Sequence, residues 1–166
     1  MAKNPLRNKY VAIGQWDASV TNLANNASAS CTTGSVFIPE GALLTKAYYY
    51  VETTFADGND DSAELALGIT GSTGAFVASI AINAAGTNGV AGGQWDAGIH
   101  HTLIGAGSAE EGDNAETQLE NAKNLATSMV HITANSELLL TTNDDEAVET
   151  GKLTLYVEYV LTGDLA

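Results

Sequence analysis

Between Leu43 and Phe55 the chain alternates. Ala47, Tyr49, Val51, Thr53 and Phe55 fall on one face, and Lys46, Tyr48, Tyr50, Glu52 and Thr54 fall on the other. Period two in a stretch rich in β-branched and aromatic residues predicts a strand. Ala63 to Ile69 repeat the pattern, with Ala63, Leu65, Leu67 and Ile69 opposed to Glu64, Ala66 and Gly68. The turn-forming DGNDD between the two runs predicts that they form a hairpin. The C-terminal part offers the same arrangement: Ser136 to Thr142, an acidic turn NDDEAVETG, and Lys152 to Leu161 with Leu153, Leu155, Val157, Tyr159 and Leu161 facing inward. A second hairpin is expected there. Shorter strand candidates are Tyr10 to Ile13, Ser35 to Ile38, Phe76 to Ile82, Thr102 to Ile104 and Met129 to Ile132. Many short strands separated by turn signals predict an all-β protein, an antiparallel β-sandwich or jelly-roll-like fold.

One segment departs from period two. From Asn114 to Met129, Ala115, Leu119, Ala122, Ala126 and Met129 recur at steps of three and four. Asn114 as N-cap and a Glu120–Lys123 pair predict a short amphipathic helix, although the asparagine and threonine content equally suits an ordered loop. The 166 residues suffice for one domain. We assign residues 1–12 to an N-terminal basic arm and 13–166 to a single β-sandwich domain.

Charge narrows the partners. The chain has 20 acidic and 6 basic residues, a formal net charge of −14. Such a body is repelled by nucleic acid and anionic lipid, so neither nucleic acid nor membrane is expected as a partner. Three of the cations, Lys3, Arg7 and Lys9, cluster at the start, where a basic arm can dock to an acidic surface or simply remain solvated. No apolar run follows these charges and none reaches ~18 residues, so a soluble protein made without Sec-type export is expected.

A search for chemistry finds little. The lone Cys31 excludes an internal disulfide and any multi-cysteine zinc site. His100 and His101 would point to opposite faces of a strand, and His131 is remote in sequence. Neither a metalloprotease helix motif, a nucleophile elbow nor a P-loop is present. No catalytic residue, cofactor or enzymatic role is expected. Asp57, Asn59, Asp60 and Asp61 place several hard oxygens in five residues, a weak calcium candidate that reads better as a solvated hairpin tip. Tyr48 and Tyr50 point away from the face carrying Val51 and Phe55. They suit either an interface with a partner or burial beneath a covering segment.

Five stretches in order, IPEGALLTKAYYYVETTF (Ile38 to Phe55), AELALGI, FVASIAINAAG (Phe76 to Gly86), WDAGIH (Trp95 to His100) and GKLTLYVEYV (Gly151 to Val160), resemble a family of small β-rich virion proteins of tailed bacteriophages, especially phages of aquatic bacteria. The resemblance runs from Ser35 to Leu161. Glu110 to Met129 reads as an insertion in it, and the first thirty residues have no counterpart. It implies a head protein of decoration or cement type, bound outside the shell of major capsid protein and often trimeric, at home on the outer capsid surface of the virion and in the host cytoplasm during assembly. The basic arm of Lys3, Arg7 and Lys9 is then the expected docking element, and Tyr48 with Tyr50 the expected oligomer or capsid contact. A head-fibre or tail-associated receptor- or carbohydrate-binding module is the alternative, and a β-sandwich hydrolase a more distant one.

The pentapeptide GQWDA occurs twice, at Gly14 to Ala18 and Gly93 to Ala97, and contains both tryptophans. The flanks of the copies do not match, which speaks against a duplicated domain. Each aspartate is expected to stabilise a turn and each indole to plug one end of the sandwich.

Overall fold

The structure is a computed structural model that describes residues 9–20, 28–29, 36–57, 63–82, 93–101, 130–142 and 148–161. The described residues form strands β1 (Tyr10–Asp17), β2 (Ser28–Ala29), β3 (Phe37–Ile38), β4 (Ala42–Asp57), β5 (Glu64–Ile69), β6 (Ser72–Ala81), β7 (Gly98–His101), β8 (Ser136–Thr142) and β9 (Val148–Leu161). They make two antiparallel sheets. The front sheet has the order β1-β9-β4-β7, and the back sheet has the order β2-β8-β5-β6, with β3 following β2 along β8. The sandwich read from the alternation is the observed fold. The segment expected to be helical, 114–129, lies outside the described residues, as do the candidate strand Thr102 to Ile104 and Cys31.

The alternation works as expected in the centre. Ala47, Tyr49, Val51 and Phe55 of β4, Leu153, Leu155 and Val157 of β9, and Ala12 and Trp16 of β1 turn inward from the front sheet. Leu65, Leu67 and Ile69 of β5 and Leu138 and Leu140 of β8 meet them from the back sheet. Fully burying each such side chain is worth roughly 1.5–3 kcal/mol, and this shared layer holds the two sheets together. Tyr159 and Leu161, at the end of β9, are only half-buried and pack on the margin of the core. Trp16 and Trp95 are both fully buried, near the same end of the front sheet. Trp16 is in register with Leu153, while Trp95 packs edge-on against Phe55, whose ring covers Gly151.

Both expected hairpins are corrected. β4 lies in the front sheet and β5 in the back, so the DGNDD connection joins the two layers; β8 and β9 are separated in the same way. A strand with one apolar face can bury it by pairing beside its neighbour or by packing across from it, and period two is the same in both cases. The hairpin that does form is β5–β6, where Ile69 faces Ser72 across Thr70 and Gly71. Two boundaries also move. β1 begins at Tyr10 as the strand candidate Tyr10 to Ile13 does and runs on to Asp17, with Ala12 buried and Tyr10 stacked on Tyr159. β9 starts at Val148, four residues before the expected Lys152, and continues through Gly151 at φ 132°. Only glycine fits there, since a Cβ would collide with the Phe55 ring.

Register shifts bend the long β4–β9 ladder, among them one between Leu44 and Lys46. This bulge carries the inward set from Ala42 and Leu44 to Ala47, Tyr49 and Val51, and so aims Tyr48 and Tyr50 outward.

Candidate functional site

The outward residues of the front sheet line up in rows because, between Lys46 and Val51 of β4, the registers run unbroken across β1, β9, β4 and β7. In the first row Val11 faces Glu158, which faces Lys46. The second runs Ile13, Tyr156 and Tyr48, and the third Gln15, Thr154, Tyr50 and Ile99. In the fourth, Asp17 faces Lys152, beside Glu52. The middle of this face is aromatic and aliphatic, and its two ends are charged.

Val11, Ile13, Tyr50 and Ile99 keep between 42% and 70% of their surface in solvent. Tyr48 stacks on Tyr156 with ring centroids 4.9 Å apart and planes 11° from parallel, and the Lys46 ammonium sits 5.1 Å from the Tyr48 ring centre. These contacts fix two tyrosines side by side as a flat surface before any partner arrives. Strands about 4.8 Å apart and a rise of about 3.4 Å per residue make the face roughly 15 by 20 Å, on the order of 300 Å². Only the middle rows of that area are apolar, and the charged ends rim them.

The ends are held by modest ion pairs. Lys9 Nζ lies 3.5 Å from Glu158 Oε2, and Lys152 Nζ 2.9 Å from Glu52 Oε2. Asp17 accepts from the Ser19 hydroxyl at 2.5 Å and from its amide at 3.0 Å. These bonds, with Lys152 nearby, hold its carboxyl below the ordinary 3.8, while the Glu52 carboxylate pushes Lys152 up. Among the described residues, Lys9, Lys46 and Lys152 against Asp17, Glu52 and Glu158 leave this face balanced. The other seventeen acidic and three basic residues therefore carry the whole −14.

Of the expected contact residues, Tyr48 and Tyr50 both lie on this face. Lys9 stands at its edge just before β1, whereas Lys3 and Arg7 lie outside the described residues. Periodicity did not reveal that Val11, Ile13, Ile99 and Tyr156 join them. The signal available was β1 itself: YVAIGQWD is apolar on both faces of its first half, which is unusual for a strand with one side in water.

The calcium candidate is not assembled in the described part. Asp57 is buried, and its Oδ2 accepts the Ala63 amide at 2.9 Å. Asn59, Asp60 and Asp61 lie outside the described residues. Among the described residues no three His, Cys, Asp or Glu side chains converge on a metal position. His100 is committed to packing, stacked on Tyr49 at 5.0 Å with Nε2 2.8 Å from the Asp96 carbonyl. Tyr49 donates to the Gln94 carbonyl at 2.9 Å, and burial pushes its phenol far above the usual tyrosine range. In the second GQWDA, Asp96 Oδ2 accepts the Gly93 amide at 2.6 Å, and the Trp95 indole donates to the Ile80 carbonyl at 3.1 Å. Both copies thus have an aspartate that closes a local turn beside a buried tryptophan.

No protein-family model matches the chain, and no curated protein does. Among solved structures it is similar to a chain of the cyanophage Pam1 capsid asymmetric unit, with a TM-score of 0.55 at 15% identity over 93% of this chain and 85% of that one. It is also similar to a chain of the acidic stable capsid of Helicobacter pylori bacteriophage KHP30, with a TM-score of 0.51 at 14% identity, covering 92% of this chain and 87% of that one. At these identities the likeness is one of fold, and it extends over nearly the whole of each chain.

Proposed function

We propose that this chain is a structural component of a bacteriophage capsid, and within it a decoration or cement protein bound outside the major capsid shell. The observation that carries the reading is the near full-length likeness to chains from the capsids of two different phages. The sequence resemblance to virion proteins points the same way. An acidic body is well placed on the outside of a shell whose interior holds DNA. Its work is mechanical: a protein that binds only the assembled shell stabilises that shell by linkage and opposes the pressure of the packaged genome. The arm with Lys3, Arg7 and Lys9 anchors it, Tyr48 and Tyr50 supply contact to the capsid or to neighbouring copies, and the oligomer is a trimer.

Quantitative mass spectrometry of purified virions tests this. A copy number in simple ratio to the major capsid protein is expected. A handful of copies per particle would transfer the chain to a fibre or tail role, and absence from the particle would overturn the reading.

A further inference from the structure

We infer that the outer face of the front sheet is the surface that lies flat on the capsid shell, and that the shell meets it with an apolar patch bordered by acidic side chains. This rests on the capsid reading above and adds to it the face, its chemistry and its orientation.

Three observations select this face and this occupant. The first is charge: among the described residues the cations Lys9, Lys46 and Lys152 all lie on this face beside Asp17, Glu52 and Glu158, while the acidic residues outside these rows, Glu40, Asp57, Glu64, Asp96, Glu137 and Glu149, have no described cation among them. An approach through those acidic residues sets uncompensated negative charge against the partner, and such repulsion acts within a Debye length of about 8 Å. The second is shape. The stacked Tyr48 and Tyr156, with Ile13, Tyr50 and Ile99 exposed around them, form a flat and ordered apolar surface. Little side-chain freedom remains to be lost there on contact.

The third observation is where the chain enters. Lys9 sits on the edge of the face against Glu158, and the eight residues before it include Lys3 and Arg7. A face on the order of 300 Å² is well short of the roughly 800 Å² per partner of a standard stable interface. Two copies joined face to face would have only that area to hold together two chains of −14 each. On a shell the basic arm extends the contact beyond the edge of the face. Arm and face then act as linked modules, the second binding at high effective concentration once the first is seated. A cationic arm at this edge calls for acidic groups on the shell beside the apolar patch.

The test uses the full-length chain and empty shells of the major capsid protein encoded with it. Tyr50→Ser combined with Ile99→Ser is compared with Phe37→Ser, an exposed residue on β3 of the back sheet. Cosedimentation reports shell occupancy, and light scattering reports the oligomeric state in solution. The double variant is expected to lose at least about tenfold in shell affinity with its oligomeric state unchanged, and Phe37→Ser to bind as the wild type does. Wild-type occupancy by the double variant would overturn the assignment of the face and leave the capsid reading standing. A changed oligomeric state with shell binding retained would make the face a contact between copies, which also overturns it. If the wild type itself fails to bind shells, the capsid reading falls too. Hydroxyl-radical footprinting of the wild type needs no substitution. Tyr48, Tyr50 and Tyr156 should label in the free chain and be protected on shells, with Phe37 labelled in both states. Protection already present in the free chain, or labelling retained on shells, would overturn the proposal.

Discussion

The two sheets contribute similar inner faces and opposite outer ones. The back sheet covers itself. Between Leu67↔Val77 and Ile69↔Ser72 the register takes up three extra residues of β6, and the space over Gly68 is filled so closely that a Cβ there would collide with the carbonyl oxygens of Ser72 and Thr73. Ala66 and Thr141 on the same side are buried as well. The front sheet leaves its large side chains open, and all six tyrosines of the chain lie in its strands. Identical alternation therefore serves two ends: one sheet closes the monomer, and the other presents a surface.

The comparison breaks most sharply at Gly68. Gly68→Ala adds one methyl to the covered side and is expected to cost about 3 kcal/mol or more, read from urea unfolding, because it displaces backbone rather than a flexible side chain. Next come neighbours in sequence that face opposite ways. Tyr49→Phe leaves the Gln94 carbonyl without its donor and should cost about 1–2 kcal/mol. Because folding raises the Tyr49 phenol above its unfolded value of about 10, its contribution is present below that pH and is lost as pH rises past it. Alkaline unfolding of Tyr49→Phe should accordingly be less steep than that of the wild type.

Smaller effects sharpen the contrast. Thr141 Oγ1 is buried without a hydrogen-bond partner, so Thr141→Val should be neutral or stabilising by about 1 kcal/mol in thermal unfolding. Tyr50→Ser and Ile99→Ser, each on the open side, should change stability by no more than about 0.5 kcal/mol. A loss of several kcal/mol in either would mean that the front face is structural and not a surface for a partner. The smallest effect belongs to Asp17. Its carboxyl is held low in the folded state, so what it contributes is present above the unfolded value and lost as pH falls through the folded one. An NMR titration should place its midpoint below 3.8, and Ser19→Ala should raise it.

Much of this fold was legible because burial in a sandwich is periodic. The inward sets of β5 and of the centres of β4 and β9 can be read directly from Leu65 to Ile69, Ala47 to Val51 and Leu153 to Val157. Pairing was not legible. DGNDD has the composition of a hairpin tip, yet it spans the two layers, since a local turn signal does not record which strand edge lies nearby. The candidate surface was half-visible for a related reason. Tyr48 and Tyr50 declare their face within one strand, but Ile13, Tyr156 and Ile99 join them only through register between segments more than forty residues apart. The charge on that face is balanced strand by strand, with Lys9 and Asp17 at the two ends of β1, Lys46 and Glu52 on β4, and Lys152 and Glu158 on β9.

The placement of the aromatic rings gives the molecule separate optical reporters. Both indoles are dry and lie near Phe55 and Gly151 at one end of the front sheet, while exposed phenols such as Tyr50 are spread across its outer side. Tryptophan emission will therefore follow the opening of that end and stay silent when the surface is covered. Tyrosine signals will follow the covering, so a single unlabelled sample can distinguish loosening of the protein from its arrival at a partner.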